Sequence, residues 1–176
     1  MKKFLCLLCL ILFPSIALAQ TPVTDRQAKI FYETCSKDSD PRITPQTQKT
    51  FCQCASFGYK KHMMVEDLQA LAKGEGMEAR QVMNKMIIKM YAPCMEFPVR
   101  DMVFQKCTKD AAQAGKKICG CMADKMSSYI SQRAESELAG IIAQNPNVYD
   151  PLEAITSSKS YEDEEKRIVL DCIQGR

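Results

Sequence analysis

The sequence predicts an all-α protein made of two pseudo-repeated, disulfide-stapled units of about four helices each. Three observations lead there. Apolar side chains recur at helical spacing, and few stretches alternate as strands do or gather β-branched residues. Cysteines fall twice into the order C, CxC, C, first as Cys35, Cys52, Cys54 and Cys94, then as Cys107, Cys119, Cys121 and Cys172. The blocks around them also match: "FYETCSKD" lies over "VFQKCTKD", "FCQCA" over "ICGCM", and "YAPCM" over "VLDCI".

Ahead of the units, "MKKFLCLLCLILFPSIALAQ" opens with two lysines, runs through a short apolar stretch and reaches small residues at Ala17 and Ala19. That pattern is a secretory signal over residues 1–19, cut after Ala19, and its apolar run is too short for a comfortable membrane span. Cleavage would remove Cys6 and Cys9 together with Lys2 and Lys3, leaving eight cysteines and 22 Lys and Arg against 21 Asp and Glu. A chain so near neutrality has no electrostatic footprint for nucleic acid or an anionic membrane. No later apolar segment has spanning length, so no integral membrane segment is expected in the mature chain. The compact "MKK" signal points to a bacterial envelope, with the periplasm as destination.

The first unit covers residues 20–97. Thr24 to Gln27 has capping-box form and opens a helix carrying Ile30, Phe31 and Cys35. Thr44 followed by Pro45 starts a second, because proline at the first helical position sacrifices no hydrogen bond. "VEDLQALAK" makes a third, stopped by Gly74. In the fourth, Ala79, Val82, Met83, Met86, Ile87, Met90, Tyr91 and Cys94 follow the i, i+3, i+4, i+7 rule. The boundary is expected near "EFPVR", where Pro98 interrupts the chain. The second unit, residues 98–176, repeats the plan with a helix through Cys107, one through Cys119 and Cys121, and one around Leu138, Ile141 and Ile142. A last helix starts at Ser160, with Ser160 and Asp163 as its cap and "EDEE" where the helix dipole favours negative charge.

On a helix, residues two apart point about 200° apart around the axis. Cys52 and Cys54 therefore face different neighbours, and so do Cys119 and Cys121; an internal bridge would violate disulfide geometry. Each CxC member is expected to bond a different helix, with Cys35 and Cys94 as partners in the first unit and Cys107 and Cys172 in the second. Successive loops and crossed loops both satisfy this. An even cysteine count in an exported chain is read first as such a framework.

Two other chemistries compete for these residues. His62, Met63 and Met64, with further methionines at 83, 86, 90 and 95, form a soft-ligand set suited to Cu(I). Methionines on an apolar stripe more commonly fill core gaps, and copper binding by CxC needs reduced thiols. A thiol-redox protein usually places CxxC at a helix start after a strand, whereas both motifs here fall inside helices. With one histidine, no Gly-rich phosphate loop and only adjacent carboxylates at Glu66 and Asp67, the chain carries no catalytic constellation. No cofactor is called for.

Differences between the units point to where recognition resides. The first has 16 residues between its leading cysteine and CxC against 11 in the second, and the extra stretch falls in "SKDSDPRIT". After CxC the second has 50 residues against 39, with the excess around "AQNPNVYDPLEA", residues 143–154. Asn145, Asn147, Val148 and Tyr149 are the candidate partner-binding residues of that segment. Its plainer reading is a turn followed by a helix capped by Asp150 with Pro151 next. The function expected is non-enzymatic protein binding, as an accessory or structural subunit of a bacterial envelope assembly. The partner would be another envelope protein. The alternative is a periplasmic Cu(I)-binding or thiol-redox protein.

Overall fold

Capping side chains fix where several helices begin. In the computed structural model, which describes residues 20–110 and 115–175, Gln27 N–H donates to Thr24 Oγ1 at 3.3 Å while Thr24 N–H donates to Gln27 Oε1 at 2.8 Å. This reciprocal pair opens α1 (Asp25–Lys37). Thr44 caps α2 (Pro45–His62) by accepting from Thr47 N–H, and its own N–H reaches Asp101 Oδ2 at 2.6 Å. Residues 1–19, expected from the sequence to be a secretory signal, lie outside the described residues.

The short α3 (Val65–Ala72) ends at Lys73, and Gly74, at φ +86°, turns the chain where a side chain would be strained. Next comes α4 (Met77–Met86), which does not continue to Cys94 as one regular helix. It widens into a π-turn over Ile87–Tyr91 and then tightens into a 3₁₀ turn over Ala92–Cys94. Pro93 supplies the cause. It has no N–H to give Lys89 O, so regular α geometry fails there, and Ala92 N–H bonds back to Ile87 O instead.

Pro98 does not break the chain. It lies in the first turn of α5 (Glu96–Asp110), where an N–H would have no intrahelical partner in any case. The separate helix expected around Leu138 merges with the one carrying Cys119 and Cys121 into a single α6 (Gly115–Gln144), 30 residues long. Between Ile130 and Leu138 there is no glycine or proline to stop it, and Ala134 and Leu138 extend the buried stripe. Asp150 caps α7 (Pro151–Thr156) through Glu153 N–H at 3.0 Å. The last helix, α8 (Lys159–Ile173), starts from Ser158, not Ser160, because it is Ser158 that accepts from Tyr161 N–H; both serines also donate to Glu137 Oε2 on α6, Ser160 at 2.7 Å.

The described residues thus form an all-α fold of eight α-helices, with one isolated bridge between Pro22 and Met64 and no strand. Four disulfides staple it: Cys35–Cys52, Cys54–Cys94, Cys107–Cys119 and Cys121–Cys172, with Cα separations of 5.4 to 5.9 Å. The loops are successive, not crossed. Each CxC helix is tied to a different neighbour through each of its cysteines, α2 to α1 and the 3₁₀ turn, α6 to α5 and α8. Such a framework forms in an oxidising compartment. No helix among the described residues is long and apolar enough to cross a membrane.

Two clusters make the core. The larger brings Ile87, Ala92 and Met95 together with Val99, Met126, Ile130, Leu138, Ile155 and Ile168. The smaller packs Val23, Ala28, Tyr59, Met63, Val82 and Met90. Val65 N–H donates to Thr21 O at 2.8 Å, so the segment ahead of α1 lies along the α2–α3 junction.

Candidate binding groove

The two lengthened connections, far apart in sequence, meet in space. Residues 38–43 follow α1, residues 145–150 precede α7, and Arg42 joins them. Its guanidinium lies 2.5 Å from Asp40 Oδ2 and 2.8 Å from Asp150 Oδ2. Asp40 also accepts from Arg42 N–H at 2.9 Å, a local turn that keeps the two side chains together. Hydrogen bonding from Arg42 holds the Asp40 carboxyl below its ordinary value, with partial burial acting against it. Hydrogen bonds to Asp40 and then to Asp150 raise the guanidinium pKa further above its ordinary value.

Beneath this clasp runs a groove of about 780 Å³ between α1, α2, the π-turn, α5 and α7. Its floor is aromatic and apolar, including Phe31, Phe51, Tyr91, Met95 and Leu152. Phe31 stacks at 4.8 Å between centroids on the buried Tyr59 behind it, and Phe51 and Tyr91 stack on each other within the floor at 5.8 Å. Burial raises the Tyr91 hydroxyl above its ordinary value. Gln48 stands in the wall, 9% exposed, with Nε2 donating to Cys35 O at 3.0 Å and Oε1 accepting no hydrogen bond. The Cys35–Cys52 disulfide fixes that wall covalently.

The chain matches no family model, no curated protein and no solved structure.

Of the residues singled out in the 143–154 segment, Tyr149 lies on the groove rim, 73% exposed, with the Arg80 guanidinium 4.4 Å from its ring centroid and in contact with its hydroxyl. Asn145 and Asn147 are exposed and hydrogen-bond each other, Asn147 N–H to Asn145 Oδ1 at 3.1 Å, in a turn that ends α6. Val148 is not displayed. It is 6% exposed and belongs to the main core, so its role is to anchor the loop. Asp150 caps α7 and takes part in the clasp, which makes both readings of this segment partly structural.

The soft-ligand run diverges. His62 closes α2, and burial followed by the charge of Lys61 lowers its imidazole pKa. Met63 is wholly buried in the smaller cluster, and Met64 donates its N–H to Asp67 at the start of α3. Met90 and Met95 are likewise core residues. All eight cysteines from Cys35 onward are disulfide-bonded, and both buried CxC members, Cys52 and Cys119, are at most 1% exposed. Both lengthened segments are visible in the sequence; the groove is not, because its lining comes from five separate elements.

Proposed function

We propose that the protein works without chemistry of its own, by holding a segment of another protein in the groove between its two lengthened connections, as an accessory or structural subunit of a bacterial envelope assembly. The observation that carries this reading is the convergence of residues 38–43 and 149–152 on one aromatic-floored cleft. Recognition commonly resides on loops carried by a rigid frame, and apolar clefts with a few polar groups are the usual form of a binding site. The Cys35–Cys52 disulfide preorganises the wall, which lowers the ordering cost of association. The periplasm suits a secretory signal combined with the disulfide framework.

Photo-crosslinking in the native host tests the reading. A crosslinker at Thr34 or Ser39, both on the groove, is expected to give a defined adduct, while one at Gln132 on α6 or Lys166 on α8 gives none. Thr34→Trp, which fills the mouth from an exposed position, should abolish the Ser39 adduct. Equal labelling from all four positions would remove the groove as the contact surface.

A further inference from the structure

We propose that the groove recognises a segment in which a lysine or arginine stands beside an aromatic or aliphatic side chain. This rests on the binding reading above and specifies the chemistry of the partner.

Three features of the site converge on it. The floor formed by Phe31, Phe51, Tyr91 and Leu152 suits an apolar side chain, and a volume of about 780 Å³ exceeds what one side chain fills. The mouth is anionic. Asp38, Asp40 and Asp150 line it with one cation, Arg42, which two of them already hold, while Arg80 stands over Tyr149 at the rim. Asp38 forms no ion pair among the described residues, so an arriving cation displaces nothing to reach it. Charge complementarity of this kind steers encounter and selects among partners. The rim already shows the pairing it would offer: Tyr149 carries the Arg80 guanidinium over its ring.

The third feature is Gln48. Its Nε2 bond to the Cys35 carbonyl fixes which way the amide faces, since a flip would set two oxygens against each other. Oε1 is left buried without a donor. That oxygen is sealed from solvent, so an N–H of an entering segment reaches it only as the wall gives way around Gln48, relieving the desolvation cost that an unpaired buried acceptor carries. The peptide N–H groups of an extended segment provide such a donor; an isolated amine sized for the mouth does not reach both floor and wall.

The test uses the oxidised mature protein and a pool of capped hexapeptides with lysine or arginine at two positions and leucine, phenylalanine, tyrosine or serine at the rest. A matched pool carries glutamate at the two fixed positions, and lysine amide serves as the free-amine control. The basic pool is expected to bind, with Asp38→Lys weakening it roughly tenfold and a rise in salt from about 0.05 to 0.5 M acting in the same direction. Gln48→Met, which keeps side-chain volume, should weaken the peptides while circular dichroism shows the helices intact. Equal binding of both pools, unchanged affinity in Asp38→Lys, or lysine amide matching the peptides overturns the proposal. If no peptide binds but the Thr34 and Ser39 crosslinks persist, the basic-segment assignment falls and the groove stands; if both fail, the binding reading falls with it.

Discussion

Gly58 and Gly120 look alike in the sequence, each a glycine inside a cysteine-bearing helix, yet their surroundings make them opposites. A Cβ on Gly58 would lie 2.9 Å from Met90 Cα and 3.3 Å from Lys89 O, backbone atoms of the π-turn that cannot step aside. Gly58→Ala is expected to destabilise the protein by roughly 1–3 kcal/mol and lower its melting temperature. At Gly120 nothing stands within 4 Å of the added carbon, so Gly120→Ala should raise stability by about 0.5–1 kcal/mol through helix propensity. Calorimetry of the two variants checks the signs, which local sequence could not supply because the deciding atoms lie more than 30 residues away. Asp40 gives a pH dependence. Arg42 holds its folded carboxyl below the ordinary 3.8, so the pair's contribution is present above that value and is lost as pH falls through the lower folded one. Arg42→Met removes it. The drop in melting temperature between about pH 6 and pH 2.5 should be smaller in that variant than in the parent, and an equal drop would show that the clasp does not stabilise the fold.

The disulfides order the helices by energy as well as by position. In the chain-entropy account, the 12-residue separation of Cys107–Cys119 is worth about 3 kcal/mol and the 51-residue separation of Cys121–Cys172 about 4. Replacing Cys121 and Cys172 together by alanine should therefore lower the melting temperature more than replacing Cys107 and Cys119, and the reverse order would assign their effect to local packing. That each CxC joins two different neighbours was legible in the sequence because helix geometry leaves a 200° angle between its members. Which member takes which partner was not, since both loop patterns satisfy that angle. Helix starts at Thr24, Thr44 and Asp150 were legible because capping is chemistry within four residues. The start at Ser158 was missed by two, because both serines are good caps in sequence and it is Ser158 that meets the Tyr161 N–H. The long α6 was missed for another reason: it was divided by analogy with the first unit, although no breaker stands between Ile130 and Leu138.

The larger core cluster crosses the expected boundary between residues 97 and 98, joining Ile87, Ala92 and Met95 to Val99, Ile130 and Leu138. Further links cross it as well: Thr44 N–H to Asp101, Lys89 to Glu135 at 2.9 Å, Arg42 to Asp150, and Arg80 to Tyr149. Sequence repetition marks two cysteine frames, but apolar surface decides what unfolds together, and here the faces that each frame would expose alone are the ones they bury against each other. A half of about 78 residues is also near the size where one core supplies only a few kcal/mol. The oxidised mature protein is therefore expected to melt in a single calorimetric transition, with the van't Hoff and calorimetric enthalpies equal. Residues 20–97 and 98–176 made separately should each lack such a transition. Two resolved transitions in the full chain would mean that the groove, whose walls come from both frames, is a junction that opens without unfolding either, and binding there would then report their separation instead of a fixed cleft.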